Sequence, residues 1–359
     1  INGLPRIGPV TLQRLLEYFD NDVLRIFKAS RSELMNVQGI GPDTADIILK
    51  PDEHFSFQEE EQKIQAHSAR FITESDENYP PLLKEIYDAP VGLYCKGNFD
   101  PQRVCIAIVG SRRCTIYGIN TAKKLAQGLA KAGICVVSGL ARGIDTAAHK
   151  GALEAGGKTI GVLGNGLDIV YPPENIDLYK EMAEKGAILS EFPFGYKATK
   201  QTFPMRNRIV AGICVGTIVI ESNNNGGSMI TARFTGECNR QIFAVPGRID
   251  QTSSAGCHKL IKDGAVLVTD VQDILDELNF DPPQMDLFTN NEQHLEKTKS
   301  DLTADELEII NLFNGGESLQ IDEISSKCNK TSHEVSTLLM MLELKKLIVK
   351  KIDGNYEAN

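Results

Sequence analysis

The chain has 359 residues, 42% hydrophobic and 24% charged, the composition of a globular protein long enough for two or three domains. Forty-eight acidic against 38 basic side chains give a net charge of −10, so a nucleic-acid site, if there is one, must be local. The longest uncharged apolar stretch, residues 209–220, covers 12 positions against the roughly 20 a membrane helix needs, so no membrane partner is expected.

Residues 1–72 read as a helical domain with an internal repeat. Ile7-Gly8-Pro9-Val10-Thr11 recurs as Ile40-Gly41-Pro42-Asp43-Thr44, 33 residues further on. The second copy resembles a helix-hairpin-helix, and the pair a tandem SAM-like arrangement. In such a motif glycines make a tight turn whose N–H groups, at a helix N-terminus, can meet a phosphate. Asp43 and Asp46 stand where that phosphate would approach, which favours packing over DNA grip.

Residues 73–280 alternate two patterns. The runs 105–109, 134–137, 159–163, 187–189, 216–220 and 242–245 are short, apolar and rich in β-branched residues, and are predicted strands. Between them lie stretches with helical spacing, such as Ala122, Leu125, Ala126, Leu129 and Ala130. Repeated β-α-β units predict an α/β domain with a parallel sheet covered on both faces. Ligands of such folds bind beyond the carboxyl ends of the strands.

The loops after these strands carry the informative residues. Gly110-Ser111-Arg112-Arg113 follows the first run: a glycine for close approach, a hydroxyl, and a forked cation suited to phosphate. Ser138-Gly139-Leu140-Ala141-Arg142-Gly143-Ile144-Asp145 follows the second, and Gly164-Asn165-Gly166-Leu167-Asp168 the third. Gly226-Gly227-Ser228 follows 216–220 at the start of a predicted helix, a natural anion site. Loops from separate strands of one parallel sheet converge on one rim.

Beside them runs the most unusual stretch of the chain. Residues 192–220 are 29 positions without an acidic side chain, yet they carry Lys197, Lys200, Arg206 and Arg208. Phe203 and Pro204 lie inside this cluster, and Asn207 separates the two arginines. Cations beside an aromatic suit a single-stranded polyanion, with charges for phosphates and a ring on which a base can stack. The competing reading is a solvated basic loop opening an ordinary helix, and on these residues alone the two stand about even.

Catalytic signatures are missing. There is no Gly-x-Gly-x-x-Gly after the first strand, no phosphate-binding P-loop, no His-Glu-x-x-His and no Gly-x-Ser-x-Gly. His149 and His258 read as structural, and Asp145 and Asp168 as loop-fixing or capping residues. Eight scattered cysteines without a Cys-x-x-Cys pair indicate reduced thiols in a cytoplasm, with neither a disulfide framework nor a zinc site. The chain is therefore expected to be no enzyme and to need no cofactor.

Residues 281–300 are polar, contain Pro282-Pro283 and read as a linker. In residues 301–359 a capping box, Thr303 to Glu306, precedes Leu307, Ile309, Ile310 and Phe313. Two further helices, near 322–327 and 331–344, and a hairpin around Asp353-Gly354-Asn355 complete a predicted winged-helix-like domain. His333 and Glu334 at the start of its third helix read DNA poorly, so protein contact or packing is favoured there.

The motifs of the middle domain together resemble the DNA-processing protein A (DprA, or Smf) family. They run from Tyr79-Pro80-Pro81-Leu82-Leu83 and Leu93-Tyr94-x-Lys96-Gly97 through Ala107-Ile108-Val109-Gly110-Ser111-Arg112. Ser138-Gly139-Leu140-Ala141-Arg142-Gly143-Ile144-Asp145-x-x-Ala148-His149 and Gly164-x-Gly166-Leu167-Asp168-x-x-Tyr171-Pro172 follow. Phe203-Pro204-x-Arg206-Asn207-Arg208-Ile209, Gly227-Ser228-x-Ile230-Thr231-Ala232 and Pro246-Gly247 complete the set.

The resemblance implies an extended Rossmann-like domain that binds single-stranded DNA in a basic pocket, usually as a homodimer. It also implies a role in natural transformation, protecting incoming strands and helping to load RecA recombinase. Carried over by position, Gly110, Ser111, Arg112 and Lys200 hold phosphate, Phe203 stacks on a base, and Ser138, Gly139 and Asn165 line the pocket. Arg206, Asn207, Arg208, Gly227 and Ser228 complete the expected DNA-binding set. One departure is His258, where the family commonly has Asn after Gly-Cys.

The rival reading is an enzyme. Rossmann-like phosphoribohydrolases pair an early Gly-Ser loop with Gly-Gly-x-Gly-Thr-x-x-Glu. This chain has Gly226-Gly227-Ser228-Met229-Ile230-Thr231-Ala232-Arg233, without the glutamate that would serve as general acid or base. A purely structural adaptor leaves the acid-free basic stretch and the convergent glycine loops unexplained.

Overall fold

A computed structural model of the chain describes residues 3–280, 303–312, 319–328, 330–344, 348–350 and 355–358. It divides into two units, Ile1–Pro283 and Gln284–Asn359. The expected linker, 281–300, lies outside the described residues.

Both copies of the Ile-Gly-Pro repeat start helices. Gly8 and Gly41 are the N-caps of helices Pro9–Tyr18 and Pro42–Leu49, and the proline that follows each has the φ a first helical residue needs. With Val23–Lys28 and Arg31–Met35 these helices enclose a core of Leu12, Leu15, Phe19, Ile26, Leu34 and Ile48. Asp43 accepts a hydrogen bond from Arg6 at 2.8 Å, and Asp46 holds Arg31 through two bonds at 2.7 and 3.1 Å. The two acids expected to repel a phosphate are thus paired within their own domain.

Helix Phe57–Ala66 then leads into a nine-stranded sheet. Its strands are β1 (Ala69–Thr73), β2 (Gly92–Gly97), β3 (Cys105–Gly110), β4 (Cys135–Ser138) and β5 (Thr159–Leu163), followed by β6 (Ala187–Ser190), β7 (Gly216–Ile220), β8 (Gln241–Ala244) and β9 (Val266–Leu267). Their order is β1-β2-β6-β5-β4-β3-β7-β8-β9. All six apolar runs singled out in the sequence are strands of the central, parallel part.

The parallel sheet expected from those runs is present, and it is extended at one edge. There β2 pairs antiparallel with β6, and β1 antiparallel with β2, so the sheet is mixed. β1 begins at Ala69, so residue 73, where the sheet domain was expected to open, is its last residue.

Alternate residues of the central strands feed two cores. Ala107, Val109, Val137 and Val162 face one side, where Ile209, Val210 and Ile213 of helix Thr202–Ile213 cover them. Ile106, Ile108, Val136, Ile218 and Ile220 face the other, beneath helices Ile116–Lys131 and Ile144–Glu154. From β3 the chain winds outward through β4, β5 and β6, then returns to lay β7 on the other side of β3. That reversal opens a crevice at the carboxyl ends of β3 and β7.

The second unit has helices Ala304–Asn311, Ile321–Cys328 and Ser332–Leu344 and an antiparallel pair, β10 (Ile348–Lys350) and β11 (Tyr356–Ala358). The predicted capping box is present: Thr303 N–H donates to Glu306 at 2.8 Å and Glu306 N–H to the Thr303 hydroxyl at 3.3 Å. Residues 353 and 354 of the predicted hairpin turn lie outside the described residues. Among the described residues no helix is long and apolar enough to cross a membrane.

Candidate nucleic-acid interface

The rim is built from the strand ends upward. A Cβ on Gly110 would lie 1.9 Å from the Ile220 carbonyl oxygen and 2.6 Å from the Ile144 side chain. Only glycine lets β3 close against β7 there, so Gly110 serves packing first. Ser111 N–H then donates to Glu221 O at 2.7 Å, drawing the loop across the switch point. This leaves Arg112 exposed, with its guanidinium carbon 4.9 Å from the ring centroid of Phe203.

Below this lie two buried ionisable side chains that hold the same loop. Arg206 is 4% exposed, and its Nη1 donates to the carbonyls of Gly139 and Val162. Asp145 accepts the N–H groups of Gly139 at 3.1 Å and Ala141 at 3.3 Å. Burial lowers the Arg206 guanidinium to about 10 against the opposing pull of Asp145, with Arg112 adding to the drop. Arg206 therefore stays charged at neutral pH. Burial pushes the Asp145 carboxyl up, against the pull of Arg206. The two side chains fix the loop after β4, and Arg206 lends the floor a cation.

The loop after β5 is shaped by Asn165, whose Nδ2 donates to Gly166 O at 2.9 Å and Ile169 O at 2.6 Å. After β7, Glu221 caps helix Ile116–Lys131 by accepting the Thr115 N–H at 2.8 Å. Ser228 donates to the Ser222 hydroxyl at 2.8 Å. Helix Gly227–Glu237 begins with no side-chain cap and no acid in its first turn; the Met229 N–H turns back to Gly226 O at 3.0 Å, which leaves the Gly227 and Ser228 amides for an anion.

These loops enclose an open cavity of about 600 Å³. It brings together Gly110, Ser111 and Arg112 from β3, Gly139 from β4, and Gly227 and Ser228 from β7. Lys200, Phe203, Arg206 and Asn207 reach it from the basic stretch. Arg112 and Lys200 are exposed, and neither has a carboxylate partner among the described residues. The acid in the lining, Asp145, is buried.

Three expected site residues are placed elsewhere. Asn165 lines a narrower cleft behind Phe203. Ser138 is fully buried and donates to Ile108 O at 2.6 Å, so it acts on the backbone of β3. Arg208 is 2% exposed, with Nη2 2.5 Å from Glu191 and Nε 3.2 Å from Asp88, a structural ion pair outside the cavity lining. Tyr171 was missed: it lines both recesses, and its signal was the Tyr171-Pro172 pair after the glycine-rich loop. His258, the departure from the family pattern, donates from Nε2 to Gly247 O at 2.9 Å.

The family model for DNA recombination-mediator protein A matches residues 70–279, the whole sheet and its rim. The chain belongs to this family. A model of the SAM-like helix-hairpin-helix tandem matches residues 2–50. Among recombination-mediator relatives, protein Smf of Synechocystis sp. is 38% identical over 284 residues, spanning 77% of this chain and 70% of its own length. The X-ray structure of DNA processing protein A from Streptococcus pneumoniae superposes with a TM-score of 0.68 at 39% identity, covering 76% of this chain and 94% of that one. The Helicobacter pylori protein, whose structure is described for its single-stranded DNA binding mode, gives 0.54 at 32% identity, covering 60% and 98%.

Proposed function

We propose that this recombination-mediator protein binds single-stranded DNA at the crevice between β3 and β7. The observation that carries the reading is the placement of two carboxylate-free cations, Arg112 and Lys200, around Phe203 on a cavity whose acid is buried. Phosphates meet Arg112, Lys200 and the uncapped amides at Gly227, with Arg206 adding charge from below. Bases, unstacked in a single strand, can reach Phe203. The relative from H. pylori, named for binding single-stranded DNA, supports the same ligand here.

On the family resemblance we further infer that the chain works in the cytoplasm as a homodimer, protecting incoming strands in natural transformation and helping to load RecA recombinase. It does so by binding, without catalysis. Near the place of the hydrolase glutamate stand Arg233, ion-paired to Glu237 at 3.3 Å, and Phe234, neither a general acid or base for that step. Nucleoside monophosphates are expected to release no base in its presence.

The test is fluorescence anisotropy of labelled oligo-dT against a duplex of equal length, over a salt series, for wild type and the Arg112→Ala/Lys200→Ala double variant. Salt-sensitive preference for the single strand, lost in the variant, is the expected outcome. The slope of log K against log salt is expected to become shallower by about 0.7 for each phosphate contact removed. Equal binding by both proteins would place the site elsewhere.

A further inference from the structure

Phe203 is not an open platform. The Arg112 guanidinium lies over its ring, and the Tyr171 ring meets it with centroids 5.8 Å apart and planes tilted by 41°. Tyr171 is 40% exposed, and it borders both the main cavity and the cleft behind Phe203. Its backbone is well anchored on both sides. Asn165 holds Ile169 O at 2.6 Å, and the carbonyl of the buried Pro172 accepts the Asn175 N–H at 3.1 Å. Tyr171 thus stands on a fixed backbone beside the Phe203 ring with enough of its surface in solvent to take a further contact.

We propose that Tyr171 is a second base-stacking residue, which closes over the base that enters beside Phe203. This rests on the single-strand reading of the cavity. A flat base held between two rings needs roughly 7 Å between centroids, two contact distances of about 3.5 Å. The observed 5.8 Å wedge is short of that by about 1 Å and tilted, so a modest outward swing of the exposed Tyr171 side chain makes a slot. As the base enters, Arg112 is free to leave the ring for a phosphate, which couples stacking to phosphate binding. The ligand is a nucleobase of any type, because every base offers a π-face.

Tyr171 also touches Arg142 electrostatically. Glu174, paired with Arg142, is the main cause of that guanidinium's tighter hold on its proton, and Tyr171 adds a smaller contribution. A role through the hydroxyl and a role through the ring are separable. The experiment measures binding of the full chain to oligo-dT over a salt series for wild type, Tyr171→Ala, Tyr171→Phe and Tyr171→Leu. It also uses a strand with single abasic positions.

Tyr171→Ala and Tyr171→Leu are expected to weaken binding roughly 5- to 150-fold with an unchanged salt slope, while Tyr171→Phe stays within about twofold of wild type. At one abasic position wild type and Tyr171→Ala are expected to bind alike, because the clasped base is gone. That signature does not arise from a structural role. Equal loss in Tyr171→Phe, a shallower slope, or an alanine variant as tight as wild type overturns the assignment while leaving the single-strand reading intact. A wild type that binds no single strand overturns both.

Discussion

Arg112 and three cations of the acid-free stretch, Lys200, Arg206 and Arg208, have three different duties set by their surroundings. Arg112 and Lys200 face solvent, Arg206 is held under the floor, and Arg208 is sealed in the core against Glu191 and Asp88. Arg208→Ala would remove a buried guanidinium that serves both Glu191 and Asp88, breaking a buried ion pair at a cost of about 3–5 kcal/mol of stability. Urea denaturation is expected to show that loss, with single-strand affinity of the folded fraction unchanged; a stable variant with weakened binding would return Arg208 to the cavity. Phe203→Ala has the opposite profile. It should cost about 1–3 kcal/mol of binding per stacked base, with the salt slope kept, because a ring contributes no counterion release. If affinity is untouched, Phe203 serves only its contacts with Tyr171 and Arg112.

At the scale of elements, the difference between Arg206 and Arg208 is the turn of one helix. Arg208 lies five residues from Phe203, about 140° around helix Thr202–Ile213, on the side that meets the core. That angle was available in the sequence, but a count of charges in a window does not use it. The central strands were legible because strands buried on both faces read as unbroken apolar runs. β1 and β2 were not: Ala-Arg-Phe-Ile-Thr and Gly-Leu-Tyr-Cys-Lys-Gly are mixed, and β1 is only partly buried. The Gly110, Gly139 and Gly227 loops were legible as a rim because each follows a strand, whereas Ser138 needed its buried bond to Ile108 to be placed. Helix Ile144–Glu154 adds a pH dependence that no motif announces. His149 is fully buried, and since the Thr159 hydroxyl donates to Val136 O at 2.7 Å, it accepts the His149 Nδ1–H at 2.6 Å. Burial, then Arg206, lowers this imidazole to about 3, so it is neutral in the folded chain. The unfolded chain takes up a proton below its ordinary value near 6.5, so the linked stability is present above that pH and is lost as pH falls towards 3, by at most about 1.4 kcal/mol per unit. Urea midpoints at pH 7 and pH 5 are expected to differ less in His149→Gln than in wild type; equal differences would mean that His149 is not the group responsible.

For the whole molecule, a net charge of −10 opposes a polyanion, so affinity must come from a few local contacts. With Arg112 and Lys200 as the two exposed cations of the cavity, the salt slope is expected to be small, about 1.4 from these two plus what the helix amides at Gly227 add. Every loop that builds the rim belongs to Ile1–Pro283, which has its own cores around the sheet and in the N-terminal helices. Gln284–Asn359 has a separate core of Ile309, Ile324, Val335, Leu339 and Ile348. Two cores with no shared member can unfold independently, so cutting the chain between them removes one cooperative unit and leaves the other. A chain ending at Pro283 is therefore expected to keep the main thermal transition within a few degrees. It is also expected to bind oligo-dT with the affinity and salt slope of the full chain. A fall in slope on truncation would show that cations of the last 76 residues also touch the strand, and a fall in affinity without a change in slope would assign them a base contact instead.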